Sequence, residues 1–165
     1  MSRLPRILIL MGGESDRKTL EAMEPYLDYF GIEADWQVSS AHRQPEATAE
    51  LARTAAEKGF SLIIAAAGMA AHLAGACAAH SSLPVIAVPL ISSALGGLDA
   101  LLSSVQMPAG VPVGVTSIGK AGAVNAACLA ARILALESPA IADKLEQFRR
   151  MGSCLSGEES SDGKK

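Results

Sequence analysis

The amino-acid sequence predicts an α/β domain in which a parallel β-sheet is covered by helices on both faces, giving three layers. Two features lead to this fold class. Short aliphatic runs alternate along the chain with segments whose apolar residues recur at helical spacing. Continuous runs of this kind are typical of strands buried on both faces, and such strands occur in parallel sheets between two helical layers.

Five strands are predicted from the aliphatic runs and the residues that flank them. The first run ends at Gly12 and Gly13, and the fourth is flanked by prolines. The second alternates polar and apolar residues, whereas the first and third are nearly continuous. In chain order, the predicted strands cover residues 6–11, 32–39, 60–67, 84–89 and 111–117.

The helices between the strands are predicted from apolar residues at helical spacing. Gly31 supplies the stop signal of the first helix, and Pro45 suits the first turn of the second. The segment 121–136 is rich in alanine and apolar on most faces, so we expect it to be buried on more than one side. In chain order, the predicted helices cover residues 15–30, 45–58, 69–80, 95–105, 121–136 and 141–150.

The chain of 165 residues has the length of a single domain. We expect this domain to cover residues 1–152 and to include the last predicted helix. Residues 153–165 consist mainly of Ser, Gly, Glu and Lys and have almost nothing to bury. This composition predicts a disordered tail.

Composition also predicts that the protein associates with copies of itself. Half of the residues are hydrophobic, and in a small domain such a fraction leaves apolar surface for a partner to cover. On the helix over 121–136, we expect the face with Ala127, Ala131 and Leu134 to need that partner. The alternative is an apolar monomer.

Charge and cysteine content exclude several classes of function. The net charge is −3 and no basic stretch is present, so we expect no nucleic-acid partner. The first apolar run is too short for a signal peptide or a membrane span, so we expect no membrane association. The three cysteines are far apart and lack both disulfide and zinc spacing, which suits a cytoplasmic protein.

The loops that follow the strands are the candidate sites, because open parallel sheets bind ligands beyond the carboxyl ends of their strands. In the first loop, Gly12 and Gly13 let the backbone approach a ligand closely. Ser15 and Asp16 then open a helix whose free N–H groups suit a phosphate. The alternative is that Ser15 or Asp16 is only a helix cap.

The second loop places a hydroxyl, an imidazole and a guanidinium within four residues, at Ser40, His42 and Arg43. Arg43 can bind a phosphate through two hydrogen bonds, and His42 can carry a proton in both directions near neutral pH. The alternative is an exposed loop with ordinary polar residues.

The third loop, around Gly68 and Met69, is rich in small residues and is expected to shape a pocket. Its one ionisable residue, His72, is interpreted as a hydrogen-bonded, half-buried structural histidine. The sequence contains neither a metal-ligand cluster nor a Walker motif nor the G-x-S-x-G nucleophile motif. We therefore expect proton transfer and group migration within a bound substrate.

Together these loops resemble the PurE family, the N5-carboxyaminoimidazole ribonucleotide mutases of purine synthesis, of the class I type. The family loops M-G-S-x-S-D, S-A-H-R-T-P and A-G-A-G-G-A-A-H-L-P-G match residues 11–16, 40–45 and 65–75. The resemblance extends over about residues 6 to 136. Further similar blocks lie at residues 97–99, 104–108, 110–113 and 118–123.

The resemblance implies a flavodoxin-like fold and an octamer with active sites near subunit junctions. It implies that a carboxylate migrates from the exocyclic nitrogen of an aminoimidazole ribonucleotide to ring carbon C4, without a metal, ATP or an organic cofactor. His42 then corresponds to the catalytic histidine. The residues expected to bind or enclose the substrate are Gly13, Ser15, Asp16, Ser40, Arg43, Gly68, Met69 and His72.

The chain departs from the family pattern within the candidate site. Gly13 replaces a serine, which removes one hydroxyl, and Met69 stands where a glycine is usual. Ala66 and Ala74 replace a glycine and a proline. If position 69 has a positive φ, methionine costs about 1–2 kcal/mol there.

Two other functions remain open at this point. One is direct carboxylation of aminoimidazole ribonucleotide by carbon dioxide. Enzymes of that type typically carry lysine where this chain has Arg43, and lack the block at residues 107–113, so the mutase is favoured. The other is a nucleotide-binding relative without catalysis, which the retention of Asp16, Ser40, His42 and Arg43 disfavours.

Overall fold

The computed structural model describes residues 4–92 and 94–155. Five parallel strands form one sheet in the order β2-β1-β3-β4-β5. This is the strand order of the flavodoxin-like fold, so the predicted fold class is confirmed. The strands are β1 Arg6–Met11, β2 Glu33–Val38, β3 Phe60–Gly68, β4 Val85–Leu90 and β5 Gly114–Val115.

The last strand is much shorter than the predicted 111–117. Only Gly114 and Val115 pair with β4, at Ile86 and Ala87. Pro112 has no N–H to donate to a sheet, and Gly110 has a left-handed φ of 92°. The residues before Gly114 therefore do not pair with β4, and β5 is a short edge strand.

Seven helices are described, and most agree with the predicted segments. The first predicted helix is divided into α1 and α2 by a 3₁₀ turn over Glu21–Met23, because Pro25 has no N–H to donate to the carbonyl of Glu21. The helices are α1 Arg17–Leu20, α2 Glu24–Phe30, α3 Pro45–Thr54, α4 Leu73–His80, α5 Leu98–Val105, α6 Lys120–Leu134 and α7 Pro139–Arg150.

The helices cover both faces of the sheet, as the three-layer prediction requires. Side chains alternate along a strand, so successive residues of β1 enter separate cores. Ile7 and Ile9 pack in the core with α1, α2, α6 and α7. Leu8 and Leu10 pack in the second core with α3 and α4.

The expectation that the outer face of α6 needs a partner subunit is wrong. Ala127 and Ala131 are completely buried and Leu134 is 8% exposed within the subunit itself. The other side of α6 packs against α1, α2 and α7, which the sequence pattern of α6 could not reveal.

The exposed apolar surface lies on α5 instead. Leu98, Leu102 and Val105 are spaced for one helical face and are each about half exposed. Ile91 and Leu95, in the connection that precedes α5, are about two-thirds exposed. We call these five residues the α5 surface. Of the helices in the described ranges, none is long and apolar enough to cross a membrane.

Candidate active site

A cleft of about 520 Å³ opens at the carboxyl ends of the strands. The strand order reverses between β1 and β3, so the loops of neighbouring strands diverge there and leave space for a ligand. The loops after β1, β2, β3 and β4 form its walls. The structure brings the sequence-predicted residues together on these walls, namely Gly13, Ser15, Asp16, Ser40, His42, Arg43, Gly68, Met69 and His72.

A larger groove of about 700 Å³ runs along β2 and α2, away from these loops. Trp36, Arg6 and several carboxylates line it. It contains neither His42 nor His72, and it lies outside the strand ends at which such sheets bind ligands. We therefore assign the chemistry to the smaller cleft.

The first loop carries a carboxylate on a short backbone turn. The N–H of Gly13 donates to Oδ2 of Asp16 at 3.0 Å, and the N–H of Asp16 donates to the carbonyl of Gly13 at 3.1 Å. Burial raises the pKa of Asp16, and the backbone hydrogen bonds from Gly13 and Gly12 oppose that rise. The N–H of Gly13 is therefore bonded to the Asp16 carboxyl group and is not free to bind a phosphate.

The second loop is fixed to α3 by a buried hydrogen bond at its start, whereas Arg43 further along the loop is exposed. The hydroxyls of Ser39 and Thr48 form a buried hydrogen bond of 2.7 Å that ties the loop to α3. The N–H of Arg43 donates to Oγ of Ser40 at 3.3 Å. Among residues 4–92 and 94–155, no carboxylate forms an ion pair with the Arg43 guanidinium. This exposed cation is therefore available to an anionic ligand.

The third loop brings a second imidazole to His42. Nε2 of His42 lies 2.7 Å from Nδ1 of His72, and the two rings meet edge to face with centroids 4.8 Å apart. His72 is exposed in the subunit, so the expectation of a half-buried structural histidine is wrong. The expectation of a hydrogen bond is confirmed, but its partner belongs to the candidate site.

Gly68 marks a close approach between two loops. A Cβ atom at Gly68 would lie 1.6 Å from Oγ of Ser92, in the loop after β4. Ser92 also lines the cleft, although it is not among the residues that the sequence predicts for the site. The available signal was its position just beyond the predicted fourth strand, where ligand-binding residues are expected.

Met69 has a φ of 54°, in the left-handed region that favours glycine. The predicted helix over 69–80 therefore begins only at Leu73. Position 69 thus has the positive φ for which the sequence predicts a cost, and methionine destabilises the folded state there by about 1–2 kcal/mol. The Met69 side chain is 60% exposed and lines the cleft.

Cys77 and Cys128 lie apart from the cleft and form no disulfide. Burial raises the pKa of Cys77 to about 12, and it also raises that of Cys128, against a smaller opposing effect of Arg132. Within the described part of the chain, no group of three or more His, Cys, Asp or Glu residues could hold a metal ion.

Comparison with known proteins identifies the family of this chain. The family model described as AIR carboxylase matches residues 6–153. The chain is 52% identical over 145 residues to N5-carboxyaminoimidazole ribonucleotide mutase of Bacillus subtilis, covering 88% of this chain and 90% of that protein.

A second relative and a solved structure are also similar to this chain. The protein named N5-carboxyaminoimidazole ribonucleotide mutase in Brucella melitensis is 50% identical over 144 residues, which cover 87% of this chain and 89% of that protein. The crystal structure of Treponema denticola PurE is similar with a TM-score of 0.79 at 30% identity, covering 90% of this chain and 92% of that one.

Proposed function

Because the chain belongs to the AIR carboxylase family, we propose that it is an enzyme of purine biosynthesis that converts N5-carboxyaminoimidazole ribonucleotide to 4-carboxyaminoimidazole ribonucleotide. The observation that carries this proposal is the pair His42 and His72, whose ring nitrogens lie 2.7 Å apart in the cleft beside Arg43. The reaction moves a carboxylate within one molecule, so it requires a proton carrier and a binding site but no co-substrate.

We propose an orientation of the ribonucleotide that the charges of the cleft support. Arg43 holds the phosphate, because its guanidinium is exposed and free of carboxylates in the described ranges. Asp16 would repel a phosphate and therefore accepts hydrogen bonds from the ribose hydroxyls. Binding at both ends holds the base near His42 and His72.

The chemistry has two proton-transfer steps in which His42 acts first as acid and then as base. The bond between the exocyclic nitrogen and the carboxyl carbon breaks, its electron pair stays on nitrogen, and His42 supplies the proton that nitrogen needs. Carbon dioxide is released into the cleft. Ring carbon C4 then attacks it, forming the new carbon–carbon bond, and His42 removes the proton from C4. Atoms and charges balance without any other reactant.

His72 orients His42 in this scheme. When His42 is protonated, both of its ring nitrogens are donors, and Nε2–H donates to Nδ1 of neutral His72. Nδ1 of His42 is then the ring nitrogen that remains for the substrate. A hydrogen bond that selects one ring orientation is a common requirement of histidine catalysis.

We infer further that the enzyme is a cytoplasmic homo-oligomer, with eight subunits as the family resemblance implies. The α5 surface supports association, because several large apolar side chains are exposed side by side. Cys77 and Cys128, which form no disulfide, suit the reducing cytoplasm.

The proposed activity is tested by offering purified protein either the carbamate substrate or aminoimidazole ribonucleotide with bicarbonate. We expect rapid product formation from the first and little from the second. Preference for aminoimidazole ribonucleotide and bicarbonate would support the direct carboxylase instead. Binding of the ribonucleotide with no turnover of either mixture would support a non-catalytic nucleotide-binding protein.

A further inference from the structure

Met69 combines a strained backbone with a place in the candidate active site. Its φ of 54° is one of two positive values among non-glycine residues in the described ranges, the other being Ser153 near the end of the described chain. Its side chain lines the same cleft as His42 and His72. Strain of this kind persists where the surrounding structure enforces it, and it is frequent at functional sites.

The surrounding structure holds the loop on both sides of Met69. On one side, Gly68 is packed so closely against Ser92 that no Cβ would fit. On the other side, the N–H of Ala71 donates to Oγ of Ser103 at 2.9 Å. The N–H of His72 also donates to the carbonyl of Ala70 at 2.8 Å, which closes a tight turn. These contacts therefore fix the backbone of residue 69 at the cleft wall.

The side chain contrasts with its neighbours in size. Ala67, Gly68 and Ala70 line the cleft beside it with little or no side chain, whereas methionine contributes a long, flexible, apolar group. The proposed reaction releases carbon dioxide, a small molecule without charge that the polar groups of the cleft hold only weakly. An apolar cover retains such a molecule by blocking its exit.

We propose that Met69 is a retention residue, whose side chain covers the cleft beside His42 and His72 so that released carbon dioxide adds to C4 before it escapes. This role rests on the proposed mutase function. Met69 transfers no proton and contributes through steric cover alone. Its removal should therefore change the fate of the released carbon more than the binding of the ribonucleotide.

The fate of the carbon is measured by running the reaction with unlabelled carbamate substrate in ¹³C-bicarbonate. Wild-type protein should form product that keeps the original carbon, with little free aminoimidazole ribonucleotide. Met69→Gly and Met69→Ala should each raise labelled product and free aminoimidazole ribonucleotide by about threefold or more, because carbon dioxide exchanges with the solvent. An enzyme-free sample corrects for spontaneous decarboxylation.

Three variants distinguish the steric effect of the Met69 side chain from the effect of its strained backbone. Met69→Ala keeps a side chain on the left-handed backbone but removes the cover, so leakage in Met69→Gly alone would assign the effect to backbone freedom and overturn the proposal. Met69→Leu restores bulk and should restore retention. Met151→Ala removes an exposed methionine outside the cleft and should match wild type.

The two failures are distinguishable. If wild-type protein does not convert the carbamate substrate, the proposed function fails, and the retention role fails with it. If wild-type protein converts the substrate and all three Met69 variants retain the original carbon equally well, only the retention role is overturned.

Discussion

Nε2 of His42 and Nδ1 of His72 lie 2.7 Å apart across the candidate active site, although 30 positions separate the two residues in the chain. One histidine follows β2 and the other follows β3, and these strands flank β1 in the sheet. The parallel arrangement thus brings two imidazole rings into direct contact at the carboxyl ends of the strands.

The histidine pair leads to the first prediction, which concerns turnover. His42→Asn should lower kcat by at least about a hundredfold while the ribonucleotide still binds, because the proton carrier is lost. His72→Phe should lower kcat by about tenfold with little change in KM, since it removes one hydrogen bond of about 1.4 kcal/mol. Steady-state kinetics measures both effects, and near-normal turnover in His42→Asn would rule out the assigned role.

The second prediction concerns the phosphate. Arg43→Ala should weaken ribonucleotide binding by about 2–4 kcal/mol in calorimetry, because a charge-assisted pair is lost. Arg53→Ala is the matched control, since Arg53 is an exposed arginine on α3 that pairs with Glu50 outside the cleft. Equal affinity of the Arg43 variant and the control would place the phosphate elsewhere.

The third prediction concerns Asp16 and the dependence of stability on pH. Burial raises the pKa of Asp16 above its ordinary value of 3.8, so the folded state disfavours the charged form. The contribution of Asp16 to stability therefore falls as pH rises from below 3.8 to above the raised pKa of the folded state. Asp16→Asn does not titrate.

Urea unfolding across this window should show wild type losing stability relative to Asp16→Asn as pH increases, with a constant difference at higher pH. The variant should also bind the ribonucleotide more weakly, since an ionised acceptor is lost. A stability difference that does not change between acid and neutral pH would contradict the predicted direction of the pH dependence.

The fourth prediction concerns the strained backbone at Met69. Met69→Gly should relieve about 1–2 kcal/mol of left-handed strain, while the greater freedom of glycine in the unfolded chain offsets about 0.4–1 kcal/mol of this gain. The expected net effect is a stabilisation of about 0.8 kcal/mol, within a range of about 0–1.6 kcal/mol, in denaturant unfolding. Gly68→Ala is the opposite case and should destabilise the fold, because its Cβ would collide with Ser92. A destabilised Met69→Gly variant would show that packing of the side chain outweighs the strain.

The fifth prediction concerns assembly. Light scattering at low micromolar concentration should give about eight times the subunit mass of 17.0 kDa. Leu102→Glu places a charge on the α5 surface and should lower the mass, because burying an unpaired charge is unfavourable. Leu136→Glu is the control, since Leu136 is 85% exposed and lies outside α5. A wild-type mass near 17 kDa would refute association, and a dimer or tetramer would refute only the number eight.

Much of the fold could be predicted because its signals are local. A run such as residues 6–11 identifies a buried strand wherever it lies, and Gly31 ends α2 with a φ of 71° as expected. The backbone conformation of residues 69–72 could not be predicted from local signals in the same way. Its small apolar residues are compatible with a helix, but the packing of Gly68 against Ser92 imposes another backbone conformation.

The sequence by itself determined the strands, the alternation of strands and helices, and the loops that carry polar residues after the strands. These follow from hydrophobic patterns and turn residues within short segments. Only the tertiary structure decided that α7 and α2 cover α6, that α5 keeps an apolar surface, and that His72 contacts His42. These relationships depend on which distant segments become neighbours, and the pattern of a single segment does not contain that information.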